Sequence, residues 1–415
     1  MKRLSRDEIR AVRAIFSQKH PTRSSIARQT RLSLVKISSI LGGLEKQDYI
    51  EKVGKTKTTG GRPAHIFQLK PSIGMSVGIS VTPDCFELVG IDGSKGVRIE
   101  ERHPLALPAD PEKHVDSIVD QVAAVVAKII AGQSDGQPIV SVGIALPGMV
   151  DSRRGIWLLG LQVTGVTHIA IAGMFENRLG VPVYVEDASR TLAVLEMYRN
   201  RGKRVRNFVL LYIGLGLGTG IVINGRIYRG YHGLAGEIGH VEHADNTYRC
   251  SCNSVGCLET VVSTAGILRV FRDRLQEGVR SSLQKTTIEN GPDLSLEEIL
   301  AAADGGDRVA QSTLGEIGVF LGDACATLIK LFNPERLVIS GPGSNFKEYF
   351  RDPVQQVIQQ RVLPEMLEDY QTVFADYRDN HEAWGAALLA MKCYLNSPSI
   401  QRSGCPTGIP DLAQL

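Results

Sequence analysis

Cys250, Cys252 and Cys257 crowd three thiols into eight residues, and His240 stands ten residues before the first of them. A Cys-x-Cys-x4-Cys run with a histidine upstream supplies four soft or borderline ligands, the number a closed tetrahedral zinc site needs, and it forces the intervening backbone to turn back on itself. The other cysteines, Cys85, Cys325, Cys393 and Cys405, are scattered singly, so the seven read as metal ligation and not as a disulfide framework. His243 is the alternative imidazole. Four protein ligands leave no open position for water or substrate, which makes the expected zinc structural and argues against metal-assisted hydrolysis.

The 415 residues are 43% hydrophobic and 22% charged, enough for two or three domains with buried cores and outside the range of disordered or fibrous chains. The opening, Met1 to Arg10, holds no apolar core of signal-peptide length, and no later stretch offers about 18 uncharged apolar residues, so no membrane partner and a cytoplasmic location are expected. The net charge of +3 conceals an uneven distribution. Residues 1–70 carry 16 Lys and Arg against 5 Asp and Glu, a balance of +11, which leaves −8 for the remainder. A basic head on an acidic body points to a polyanion partner for the head alone.

The head reads as a winged helix-turn-helix over 1–70. Ser5-Arg-Asp-Glu8 is a capping box that opens an amphipathic run through Ile9, Val12, Ile15 and Phe16. Thr22 can cap a second helix and Ser33 a third, with a short turn between them, the arrangement used to read DNA. In the third helix Ile37, Leu41 and Leu44 take the core face, which leaves Lys36, Ser38 and Ser39, with Ser33 at the cap, to face the major groove. Gly42 and Gly43 are poor helix formers and predict an early end or a flexible helix. Tyr49 to Val53 and His65 to Leu69 read as wing strands. The loop between them carries Lys55, Lys57 and Arg62 toward the minor groove, where negative potential favours Arg.

From Pro71 onward, strand-like segments such as Met75 to Val81 and Phe208 to Ile213 alternate with helical ones such as His114 to Ala131, which makes the body α/β. The stretch Tyr212 to Tyr228 is a strand, a glycine-rich turn and a strand, with Asn224-Gly225 as a second hairpin turn. No helix follows the glycines, so this is not a dinucleotide-binding fingerprint.

Four segments together, Gly143 to Asp151, the Gly214 to Gly220 turn, Gly236-Glu-Ile-Gly-His240 and Cys250 to Glu259, resemble the ROK family in order and spacing. The resemblance runs from about residue 10 to residue 390. The winged head with Gly61-Arg62-Pro63 resembles the repressor branch, as opposed to the headless sugar kinases. It implies a two-lobed, actin-like (ribonuclease H-like) fold with a sugar held between lobes: small lobe 71–190, large lobe 191–395 with the zinc knuckle and a last helix returning to the small lobe, then a flexible tail 396–415. It also selects His240 as the fourth zinc ligand. Asn253 stands where the family has Gly, and Asn tolerates positive φ well enough for the knuckle to survive.

By the same resemblance Glu237, His240 and Glu259 contact sugar hydroxyls, joined by Asp187 and Gln162. Gln162 stands where relatives carry Asn, and the family's Glu-Asn-Asp-Ala-Asn reads Glu186-Asp-Ala-Ser-Arg190, so the ligand departs from a familiar hexose. The kinases' first phosphate-binding turn, Asp-x-Gly-Gly-Thr-Lys, is replaced by Gly78-Ile-Ser80-Val-Thr82-Pro83-Asp84-Cys85. Pro83 removes an amide donor, Asp84 repels phosphate, and Ser80 stands at the magnesium-side Asp. Aligned without gaps, Ala188 occupies the catalytic base position, and a one-residue slip restores Asp187. Pro342 replaces a Gly of the second nucleotide motif.

These readings give a repressor of carbohydrate genes that binds operator DNA as a homodimer or dimer of dimers, controlled by a sugar or sugar phosphate, with no ATP bound and no enzymatic activity. Two alternatives stay open: an active ATP-dependent sugar kinase, and a repressor released by a phosphotransfer-system protein partner.

Overall fold

The computed structural model describes residues 4–56, 63–132, 137–160, 162–200, 205–284 and 294–396. Its contacts divide it into two units. One holds the described residues up to Asn200 and those from Asn380 onward, and the other runs from Val205 to Asp379.

The first unit begins with α1 (Arg6–Ser17), α2 (Arg23–Thr30) and α3 (Leu34–Lys46). Each starts at a side-chain cap, Ser5, Thr22 or Ser33, whose oxygen accepts an otherwise orphaned amide of the first turn. Arg31 ends α2 in the left-handed conformation. α3 runs unbroken through Gly42 and Gly43, against the expectation of an early end, because buried Ile37, Leu41 and Leu44 anchor it on both sides of the glycines. The wing is β1 (Ile50–Lys55) paired antiparallel with β2 (His65–Leu69), with a bulge at Lys52/Gly54. The loop residues Lys57 and Arg62 lie outside the described residues.

The body of this unit is a five-stranded sheet of β3 (Met75–Val81), β4 (Cys85–Asp92), β5 (Val97–Pro104), β6 (Ile139–Leu146) and β10 (Val183–Asp187) in the order β10-β6-β3-β4-β5. A smaller sheet of β7 (Met149–Asp151), β8 (Ile156–Leu159) and β9 (Thr167–Ile169) sits in the connection between β6 and β10. α4 (His114–Ala131) and α5 (Ile171–Leu179) share one hydrophobic core with the large sheet. The C-terminal helix (His381–Asn396) lies on the sheet through alanines, and the approach is close enough to require glycine. A Cβ at Gly78 would stand 1.9 Å from the Ala383 carbonyl oxygen, and one at Gly143 2.1 Å from that of Ala386. The far end of this helix meets the head: Arg13 of α1 donates from Nε to the Leu395 carbonyl (3.1 Å) and from Nη2 to that of Asn396 (2.8 Å). Head and sheet therefore share a single core containing Val12, Ile15, Leu41, Val89, Leu388 and Met391. α6 (Ala188–Arg199) also packs here, so the division falls after residue 200 and not at 190.

The second unit repeats the sheet topology. β11 (Phe208–Ile213), β12 (Leu217–Ile223), β13 (Arg226–Ile227), β14 (Arg336–Ser340) and β15 (Gln371–Phe374) lie in the order β13-β12-β11-β14-β15. As in the first sheet, three consecutive antiparallel strands are extended by two parallel ones. The helices are α7 (Glu259–Val262), α8 (Thr264–Gln276), α9 (Leu296–Asp304), α10 (Arg308–Phe332) and α11 (Lys347–Arg361). This doubled arrangement of a three-plus-two sheet is the actin-like fold. No helix among the described residues is long and apolar enough to cross a membrane.

Candidate metal centre and ligand site

In the second unit the chain leaves β13, makes a short helical turn at Ile238–His240, then returns through a knuckle to α7. Bridges between Glu242 and Cys257 and between Arg249 and Val255 hold the knuckle. The Cys250 amide donates to the Ser254 carbonyl (2.8 Å) and the Asn253 amide to that of Cys250 (3.0 Å), with Asn253 at φ 75°.

This turn gathers His240, Cys250, Cys252 and Cys257, whose ligand atoms all lie within 4.8 Å of one another. His240 Nδ1 is 3.6 Å from Cys250 Sγ, and Cys252 Sγ is 3.6 Å from Cys257 Sγ. Around a zinc ion with bonds of about 2.0 Å to nitrogen and 2.3 Å to sulfur, tetrahedral neighbours sit about 3.5 to 3.8 Å apart, so the set fits. Burial, and then the Cys252 and Cys250 thiols beside it, push Cys257 up to about 12. Three thiols this close together ionise fully only around a cation. His243 is committed elsewhere: its Nε2 is 2.9 Å from Asp323 Oδ2, and its ring packs edge-on against Phe320 at 4.7 Å.

The expected sugar-contacting residues of this unit stand beside the cluster. Glu237 is exposed and immediately precedes the Ile238–His240 turn. Glu259 opens α7, and its Oε2 accepts the Leu217 amide at 3.0 Å, which commits one carboxylate oxygen to the backbone of β12. The glycines of the motif are needed for this packing. Gly236 has φ 103°, with its carbonyl accepting the Thr219 hydroxyl at 2.7 Å, and a Cβ at Gly239 would lie 2.4 Å from the Leu217 carbonyl.

In the first unit Asp187 ends β10 and caps α6, while Ala188, the other register, is the first helical residue. Asp187 Oδ1 accepts the Arg190 amide (3.0 Å) and the Ser189 hydroxyl, and Oδ2 pairs with Arg190 Nη1 at 2.9 Å. Burial pushes the Asp187 carboxyl above its ordinary value and Arg190 opposes the push. The same guanidinium reaches Glu186 Oε1 at 3.2 Å, which also takes the Ser152 hydroxyl at 2.9 Å. The Gln162 amide oxygen is buried without a hydrogen-bond partner.

The β3–β4 hairpin occupies the place of the expected phosphate turn. Its Thr82 amide donates to the Cys85 carbonyl (2.9 Å), the Cys85 amide donates to Thr82 Oγ1 (3.2 Å), and Pro83 has no amide to offer. Near β14, Gly341 takes φ 99° and Pro342 opens a short 3₁₀ turn.

On the head, Ser33 caps α3 by accepting the Lys36 amide (3.2 Å). Lys36 turns toward α1 and pairs with Asp7, while Ser38 donates to the Leu34 carbonyl (2.7 Å) and accepts from Arg23 (3.3 Å). Ser39 and Lys55 are exposed. The first turn of α3 also exposes Leu34 (52%) and Val35 (82%), which the sequence reading passed over. Their signal was present: both are apolar at positions off the core period, and such side chains suit thymine methyl groups.

The family model for the ROK family matches residues 86–393. The xylose repressor of Caldicellulosiruptor bescii is 26% identical over 392 residues, 94% of this chain and 97% of its own. A solved ROK family transcriptional regulator, a homolog of the E. coli MLC protein, is 27% identical with a TM-score of 0.77, and the match covers 94% of this chain and 97% of that one. A ROK family glucokinase from Streptomyces griseus, solved with glucose and AMPPNP, is 25% identical with a TM-score of 0.65; all of it is covered, but only 77% of this chain.

Proposed function

The chain belongs to the ROK family, and we propose that it is a DNA-binding transcriptional repressor of carbohydrate genes, controlled by a sugar or sugar derivative and without phosphotransfer activity. One observation carries the reading. The basic head is built into the body's own core, and Arg13 caps the C-terminal helix that re-enters the first unit at Asn380. The C-terminal helix is thus continuous in chain with the second unit at Asn380 and is held to the DNA-binding head by Arg13 and the shared core. The similarity to regulators over nearly the whole chain supports the reading, as does the kinase's match to only part of it.

Pairs of hydroxyl groups on the effector are received by the carboxylates of Glu237 and Glu259 and the imidazole of His240 in the second unit; Asp187 and Gln162 are the corresponding candidates in the first. Zinc is the ion the donor set fits, held by His240, Cys250, Cys252 and Cys257. Bound there, it would supply a rigid cross-link, with His240, whose Nδ1 lies beside Cys250 Sγ, among the residues that would hold it and Nε2 remaining available to a sugar hydroxyl. Reduced thiols of this kind belong in the cytoplasm. The pairing of Asp187 with the α6 amide, Ser189 and Arg190 fits a structural helix cap better than a free general base. The Thr82 and Cys85 amides of the β3–β4 turn are paired within it, Pro83 has none, and the charge of Asp84 would repel a phosphate there.

On DNA, the cap and first two turns of α3, with Ser33, Lys36, Ser38 and Ser39, enter the major groove while Lys55, Lys57 and Arg62 serve the wing. A dimer, or dimer of dimers, presents two heads to half-sites about 34 Å or a multiple apart.

Thermal unfolding of the purified chain with sugars, sugar phosphates and magnesium ATP tests this. A ligand that binds only the native state at a hundred times its Kd stabilises it by about 2.7 kcal/mol. The expected result is a clear shift with one sugar-type ligand and none with ATP. An ATP shift accompanied by sugar-dependent ATP consumption would restore the kinase reading.

A further inference from the structure

A cleft of 480 Å³ opens in the first unit where the head meets the body. The end of α1 and the residues after it, the two wing strands, the β4–β5 turn and the end of α6 line it. Among the described residues on its walls are four cationic or protonatable side chains, Lys19, His20, Lys95 and Arg199, and no Asp or Glu. None of the α3 residues that face DNA in the reading above is among them, nor is Lys55.

The walls are built and not merely basic. Lys95 sits at φ 70° in the β4–β5 turn, a left-handed conformation that a Lys side chain rarely adopts. Its Nζ lies 3.3 Å from the Gln18 carbonyl, 5.2 Å from the Phe16 ring centre and 5.8 Å from that of Tyr198. Arg199 is oriented by His381, 2.6 Å from its Nη2, and by the Trp384 ring at 5.9 Å. Gln68 and Ser94 add hydrogen-bonding groups to the same walls.

We propose that this cleft is a second ligand site, which binds the phosphate group of a phosphorylated small metabolite of about the size of a sugar phosphate. Its volume lies within the range of roughly 300 to 1,000 Å³ used for small molecules. A phosphate monoester carries about −1.5 to −2 charges at neutral pH and three acceptor oxygens, which match clustered lysine and guanidinium donors. A ligand here touches α1 and the wing on one side and the β4–β5 turn and α6 on the other, so it fixes the head on the body and ties DNA binding to metabolite level.

The test is calorimetric titration of the full-length chain with inorganic phosphate, glucose 6-phosphate and glucose at constant ionic strength. Three variants accompany the parent: Lys19→Gln with His20→Gln, both exposed; Lys95→Gln; and Lys128→Gln, a charge-matched control on α4. Both phosphates should bind. Affinity should fall about tenfold or more in the first two variants, as loss of charge-assisted hydrogen bonds implies, and be unchanged in the control. No phosphate binding by the parent, or equal loss in the control, overturns the proposal. So does unchanged phosphate binding in the Lys19/His20 variant together with a shallower salt dependence of DNA binding, because the cleft would then hold operator backbone.

Discussion

Three of the roughly four acceptor sites of the Asp187 carboxylate are taken within its own helix start, by the Arg190 amide, the Ser189 hydroxyl and the Arg190 guanidinium. That arrangement follows from Arg190, three residues on, whose guanidinium reaches back along α6 to Asp187 and Glu186. Local patterns of this kind were legible: the spacing of Cys250, Cys252 and Cys257 brought the thiols together as expected. Longer-range choices were not. Nothing in the sequence tells that Lys36 pairs with Asp7, or that His243 turns to Asp323, because those partners lie 29 and 80 residues away and meet only through packing. The metal cluster gives the sharpest residue-scale prediction. The parent should carry stoichiometric zinc by atomic absorption, and Cys257→Ser should lose it and unfold at a lower temperature. Because the thiols must lose protons to bind, acidification should strip the metal and release of zinc should rise as pH falls. A parent that is metal-free and unaffected by chelator contradicts the site.

Among the elements, helix starts were the most readable, since Ser5, Thr22 and Ser33 announce their helices through hydrogen bonds that need only three residues of sequence. α3 continues past Gly42 and Gly43, against their propensity, because the tertiary face of Ile37, Leu41 and Leu44 overrides it. The two glycines still cost stability. Gly42 has no atom near the position of a Cβ, so Gly42→Ala should stabilise the chain by about 0.5–1 kcal/mol, measurable by urea unfolding. At the start of α10, burial works against the Asp307 carboxylate, but the Ala310 and Ser282 amides and the Ser281 and Ser282 hydroxyls outweigh it and hold its pKa well below the usual range. Asp307→Ala should cost about 1–2 kcal/mol near neutral pH, the usual worth of such a cap. A depressed carboxylate contributes its stability above the unfolded value of about 4 and loses it as pH falls below. The difference between parent and variant should therefore shrink on acidification, and a constant difference would contradict the assignment.

For the whole molecule, alternating strands and helices announced an α/β body, whereas the two-lobed fold and the return of the last helix to the first unit were legible only through the family resemblance. Sheet order arises from pairings between strands as far apart in sequence as β3 and β6, and the seat of the last helix depends on Gly78 and Gly143 lying under Ala383 and Ala386. No local pattern encodes either. The consequence for function is that the head is not a tethered module: its core continues into the body's. Binding of the full-length chain to the duplex it selects from a random DNA pool, followed by fluorescence anisotropy while sugars and then magnesium ATP are added, tests the central claim most directly. Selective binding to paired half-sites is expected, weakened or strengthened at least about tenfold by one sugar-type ligand and unmoved by ATP. Binding without sequence preference that fades with salt, or control by ATP with turnover of the sugar, would contradict it.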